Sequence, residues 1–135
     1  MDNKELIRLA LEARKAAYVP YSGFKVGAAL LTKEGKVYKG CNIENAGYTP
    51  TNCAERTAFF KAVSEGEREF AAIAIVGGKG ELPDNYAYPC GVCRQVMMEF
   101  CDPKTFRVIT AISEDEYLDK TLEEMLPYGF GPSNL

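Results

Sequence analysis

The run Ala71-Ala-Ile-Ala-Ile-Val76 is short and wholly apolar, and it constrains the fold more than any other stretch. A strand wet on one face alternates; a continuous apolar run of this length reads as a central strand covered on both faces. Such a strand needs packing layers on each side of its sheet, so the rest of the chain must supply helices. With 135 residues, 47% hydrophobic and 26% charged, the chain can bury a proper core, and one domain spanning 1–135 is expected.

Leu6, Leu9, Ala10, Ala13, Ala16 and Ala17 recur at helical spacing and predict an opening helix stopped by Pro20 and Ser22-Gly23, with Asp2 and Glu5 placed for a capping box. Residues 24–43 alternate around Lys33-Glu34-Gly35 and read as a β-hairpin. Residues 52–64 read as a helix ended by Gly66. After the central strand, a loop from Gly77 to Tyr88 leads into Pro89-Cys90. A helix through Val96, Met97 and Phe100 then ends near Pro103, followed by a strand over Phe106–Ile112, a short polar connection and a brief helix over Leu122–Leu126. Strands interleaved with helices at short spacing point to one mixed sheet with helices on its faces, an α/β fold.

The net charge of −3 supplies no broad attraction for a phosphate backbone, which argues against a nucleic-acid polymer as partner. The charged start lacks a signal-peptide stretch, and no run approaches the roughly twenty apolar residues of a membrane span. A cytoplasmic protein with no membrane partner is expected.

Five Cys and no His narrow the chemistry further. Without His, any zinc site must use Cys, Asp or Glu. Cys53-Ala54-Glu55 falls at one predicted helix start and Pro89-Cys90-x-x-Cys93 at another, where unpaired N–H groups and the helix dipole favour thiolates. A catalytic zinc keeps three protein ligands and one open position, and Cys53, Cys90 and Cys93 meet that count. Three thiolates on Zn²⁺ leave one excess negative charge. Arg56 and Arg94 adjoin the motifs, and Arg56 is the favoured guanidinium to donate to a thiolate sulfur and offset it. Glu55, two positions past Cys53, can handle a proton without occupying the fourth ligand position, as the acid/base Glu of a zinc deaminase does. By spacing alone, Cys90 and Cys93 fit equally a redox pair or half of a structural Cys₄ site completed from Cys41 or Cys101. Those two read more naturally as small buried hydrophobes.

Five blocks carry a family resemblance: Tyr18-x-Pro-Tyr-Ser-x-Phe-x-Val-Gly-Ala-Ala29, Gly40-Cys-Asn-Ile-Glu-Asn45, Cys53-Ala-Glu-Arg-Thr57, Pro89-Cys-Gly-x-Cys-Arg-Gln95 and Leu126-Pro-x-x-Phe130. In this order, over nearly the whole chain, they resemble the small homotetrameric zinc-dependent cytidine deaminases that act on free nucleosides. The resemblance implies a three-layer α/β/α sandwich around a five-stranded mixed sheet, and one zinc per subunit on Cys53, Cys90 and Cys93. It further implies that Glu55 carries protons, Asn42 and Glu44 hold the ribose hydroxyls, and Phe24 packs beside the nucleoside. Backbone groups at Ala54 and near Cys90 would meet the pyrimidine edge, while Phe130 and Tyr48 would enter a neighbouring subunit's pocket. Tyr88 stands where the family commonly has Ser.

The implied reaction is hydrolytic deamination of cytidine and 2′-deoxycytidine to uridine and 2′-deoxyuridine with release of ammonia, in pyrimidine salvage. Zinc would activate the water that attacks C4, with Glu55 transferring the protons. Asn42 and Glu44 share a parity on an extended segment, so both can face one cavity while Ile43 faces away. Another cytosine-bearing small molecule is the nearest competing substrate, and a zinc-stabilised interaction module is the competing class.

Overall fold

The apolar run forms the middle of the sheet, and everything else is arranged around it. In the computed structural model, which describes residues 1–135, β1 (Lys25–Thr32) and β2 (Val37–Cys41) make the expected hairpin. β3 (Phe70–Gly78) pairs antiparallel with β1 and parallel with β4 (Arg107–Ser113), and β5 (Glu116–Thr121) returns antiparallel to β4. The strand order is β2-β1-β3-β4-β5, with β3 at the centre.

Side chains of β3 go alternately to two cores, as the strand period requires. Ala72, Ala74 and Val76 pack on one face with Leu6, Ile7 and Ala10 of α1 (Asn3–Arg14). Ile73 and Ile75 pack on the other with Ala58, Phe59 and Ala62 of α2 (Ala54–Ser64) and with Met97 of α3 (Gly91–Phe100). Phe59 anchors this second core, its ring centroid 5.1 Å from that of Phe70 and 6.0 Å from that of Phe106. The result is the three-layer α/β/α sandwich around a five-stranded mixed sheet. A short α4 (Leu122–Met125), closed by a capping box between Thr121 and Glu124, follows β5.

Two glycines let the helices approach the sheet this closely. A Cβ on Gly27 would fall 2.1 Å from the Ala10 carbonyl oxygen of α1, and one on Gly40 would fall 2.4 Å from the Ala54 oxygen of α2. The second contact seats the start of α2, and with it Cys53 and Glu55, directly on β2.

Three local expectations are corrected. Residues expected as a polar connection after β4 form β5; as an edge strand it leaves Glu116, Asp119 and Lys120 in water, so it lacks a buried alternation. The first helix ends at Arg14 instead of reaching Ala17, because the following chain turns to pair with the segment after β2, Tyr18 N–H donating to Asn42 O and Glu44 N–H to Tyr18 O. The capping box is half formed: Asp2 accepts from Glu5 N–H at 2.8 Å, and Glu5 makes no return bond. No helix is long and apolar enough to cross a membrane.

Candidate active site

Two helix starts on the same face of the sheet bring the three predicted thiols together. Cys53 is the residue before α2 and Cys90 the residue before α3, both with extended backbone, while Cys93 lies in the first turn of α3. Their sulfurs lie within 4.8 Å of one another, with no fourth His, Cys, Asp or Glu in the group. Cys53 Sγ and Cys90 Sγ are 3.8 Å apart. Sulfurs placed tetrahedrally about 2.3 Å from a zinc ion lie about 3.8 Å apart, so the donor set fits the metal in type, number and spread. Cys41 and Cys101 stand outside the group, each with its thiol pushed up by burial, as expected of packed cysteines.

The thiols are polarised against one another. Cys53 is drawn down to about 5, first by the hydrogen bond from Cys93 and then by Arg56, whose Nη2 donates to Cys53 Sγ at 3.3 Å. Cys93, as the donor, is driven the other way. Arg56 Nε is buried without a partner, so this guanidinium is committed to the sulfur cluster at the expense of one of its own donors.

Glu55 is the second residue of α2 and is only 4% exposed. Burial pushes its carboxyl up to about 7, and the neighbouring Cys53 adds to the effect. A carboxyl near 7 exchanges protons in both directions at neutral pH. It lies outside the sulfur group, as a proton carrier that is not a ligand should.

A cleft of about 310 Å³ opens over Cys53, Glu55 and Cys90. Phe24, Val26, Ala54, Ile75, Ala87 and Tyr88 make its mostly apolar wall, and Asn42 adds an amide. The size and the few convergent polar groups suit a small molecule. A larger hollow of about 520 Å³ between Pro103 and Tyr128 has no thiol and no buried carboxyl in its wall.

Asn42 is half engaged by the backbone at the start of β1. Its Nδ2 donates to Phe24 O at 2.8 Å and its Oδ1 accepts from Val26 N–H at 2.9 Å, leaving one donor and one lone pair. Glu44 lies in a neighbouring hollow of about 270 Å³ with Tyr21, Ser22, Asn45 and Tyr48. Its carboxylate accepts from the N–H groups of Tyr21 and Ser22 and from the Ser22 hydroxyl, which hold it below its ordinary value. Ser22, which also accepts from Phe24 N–H, thus links the two hollows. Its importance was legible only as part of the Tyr-Ser-x-Phe block.

Tyr48 and Phe130 lie outside the cleft. Tyr48 is 80% exposed on a backbone with φ of +60°, and Phe130 is 58% exposed in the tail. The tail is tied to α3: Gln95 Nε2 donates to Phe130 O at 2.8 Å, and Arg94 bonds to Pro89 O and Met125 O. Arg94 therefore braces the loop and the tail and leaves the sulfurs to Arg56.

Residues 1–109 match the family model described as the cytidine and deoxycytidylate deaminase zinc-binding region. A cytidine deaminase of Halalkalibacterium halodurans is 52% identical over 131 residues, covering 96% of this chain and 95% of the relative. One of Sporosarcina psychrophila is 48% identical over 135 residues, covering 100% of this chain and 96% of the relative. The crystal structure of a cytidine deaminase from Burkholderia pseudomallei superposes with a TM-score of 0.87 at 48% identity, covering 96% of this chain and all of that one.

Proposed function

This chain belongs to the zinc-binding cytidine and deoxycytidylate deaminase family and hydrolyses cytidine to uridine and ammonia, and we propose that Cys53, Cys90 and Cys93 hold its zinc while Glu55 carries the protons. The observation that bears most weight is a buried carboxyl beside three convergent sulfurs in the wall of an apolar cleft.

Zinc held there supplies a Lewis acid that brings a water's ionisation toward neutral pH, so that a nucleophile exists where cytidine is stable. Glu55 accepts a proton from the attacking water and delivers it to ring N3, making C4 electrophilic as the C–O bond forms. It then takes the proton of the new C4 hydroxyl and hands it to the 4-amino group; the C4–N bond breaks, ammonia departs and the C4 carbonyl of uridine remains. Arg56 offsets the excess negative charge of the thiolates. Backbone groups at Ala54 and Cys90 meet the pyrimidine edge, which their position in the cleft wall supports.

Phe24 packs on the base. The free donor and lone pair of Asn42, and Glu44 in the adjoining hollow, receive the sugar hydroxyls, with 2′-deoxycytidine accepted on the same contacts. The exposed ring of Phe130, absent from both hollows of its own chain, completes the pocket of a neighbouring copy in a homotetramer, and Tyr48, 80% exposed at the edge of its own chain's Glu44 hollow, reaches toward that neighbour. Residues 1–135 act as one catalytic domain in the cytoplasm, in pyrimidine salvage. The net charge of −3 favours free nucleosides over a nucleic-acid polymer.

The test is conversion of cytidine to uridine with stoichiometric ammonia by zinc-quantified protein. Glu55→Gln should keep its zinc and lose about a thousandfold in kcat. Wild-type-like turnover in that variant removes Glu55 from the role.

A further inference from the structure

We propose that Arg14, on the face of the sheet opposite the active site, is a positioning residue that holds the loop between β3 and α3 and so sets the wall of the cytidine cleft. This rests on the reading that the cleft beside Glu55 receives the pyrimidine.

Arg14 is the last residue of α1 and is 5% exposed. No carboxylate bonds to it. Its guanidinium donates instead to four carbonyl oxygens: Nε to Lys25 at 3.0 Å, Nη1 to Glu81 at 2.7 Å, and Nη2 to Gly78 at 2.6 Å and Gly80 at 2.5 Å. One planar group thus ties the start of β1 and the end of β3 to the first residues of the loop. Charge-assisted bonds from a rigid fork fix direction as well as distance.

The loop has no comparable anchor of its own. Between Lys79 and Tyr88 no backbone group pairs with another backbone group, and the only hydrogen bonds joining this stretch to the rest of the protein are those from Arg14. Packing does the remainder. Gly78 lies under Pro83, and Gly77 has room for nothing larger than hydrogen beneath Ala87, where a Cβ would fall 2.7 Å from the Ala87 methyl and 3.1 Å from the Phe24 ring. The loop's return leg and the ring that packs on the base therefore close over the same glycine and line the same cleft. Ala87 and Tyr88 then enter the cleft wall immediately before Cys90. Freeing the Gly80 and Glu81 carbonyls lets this leg drift from Phe24, which widens the substrate space without removing any reacting group. The consequence falls on substrate binding before it falls on chemistry.

The experiment compares wild type, Arg14→Lys and Arg14→Ala for cytidine KM and kcat, zinc content and amide exchange. The expected result for Arg14→Ala is a KM raised about tenfold, near-normal kcat and zinc, and faster exchange concentrated in residues 79–88. Arg14→Lys, with fewer donors, falls between. Guanidinium chloride at tens of millimolar, well below denaturing levels, should restore KM in Arg14→Ala and leave wild type unchanged. An unchanged KM in both variants overturns the proposal, as does faster loop exchange with normal KM, or a raised KM that guanidinium does not lower. Asn42→Ala, run alongside, tests the cleft separately: if it leaves KM unchanged, the placement of the substrate is wrong whatever Arg14 does to the loop.

Discussion

Arg56 Nη2 donates to Cys53 Sγ at 3.3 Å, so the guanidinium three residues past the first thiol reaches back over the start of α2 to that sulfur. The charge-neutralising role inferred from adjacency in sequence therefore has a direct contact behind it. Arg56→Gln keeps a donor of shorter reach and removes the charge, leaving the thiolates more electron-rich. The expected outcome is retained zinc with kcat lower by about ten- to a hundredfold. Metal analysis beside initial rates checks it; full activity at full zinc occupancy would show that the charge is irrelevant.

Gly40→Ala should destabilise the protein and injure the site together. The added methyl would lie 2.4 Å from Ala54 O and 2.6 Å from Ala58 N, both backbone atoms, so α2 must move outward. Overpacking of this kind costs about 2 kcal/mol or more, a melting point lower by about 5–10 °C. Because Cys53 and Glu55 ride on the start of α2, kcat should fall in the protein that remains folded. Calorimetry and rates measured well below the transition separate the two effects.

What was legible in the sequence divides by the range of the interaction. The helix starts that carry Cys53 and Cys90, the hairpin and the buried β3 follow from local pattern, and the family blocks name the pocket residues. β5 escaped because an edge strand buries too little to alternate. Shared parity of Asn42 and Glu44 on an extended segment predicts one cavity for both, and the structure divides them between two. The chain after β2 leaves the sheet to pair with Tyr18, and the two side chains open on neighbouring hollows joined by Ser22. Arg14 was invisible as a functional residue: its partners are carbonyl oxygens, which every residue has, at positions 11 to 67 residues away.

Ser22 sets a pH dependence. Its hydroxyl, followed by the backbone N–H groups of Ser22 and Tyr21, holds Glu44 below its ordinary value, so the carboxylate stays ionised to lower pH than a free one. A depressed carboxyl contributes while the pH is above its unfolded value and loses that contribution as pH falls through the folded one. Ser22→Ala removes the largest of these donors. The Glu44 carboxyl, followed by NMR, should then titrate at higher pH than in wild type, while the acid limb of kcat/KM, set near 7 by Glu55, stays in place. A Glu44 titration that does not move shows that Ser22 is not what holds it low.

Phe130 should act in trans. Its ring is exposed and absent from its own chain's cleft, while Gln95, two residues past Cys93, holds its carbonyl and ties the tail to the helix that begins at Cys90. The tail is thus braced against one site's helix with its ring free for a neighbour. Phe130→Ala alone should raise KM while keeping zinc, and Glu55→Gln alone should be nearly inactive. Unfolded together and refolded as mixed oligomers, the two should exceed the mean of the separately refolded proteins, because a subunit with intact Glu55 receives Phe130 from its neighbour. Simple averaging, with mixed oligomers verified by native mass spectrometry, would confine the ring to its own chain.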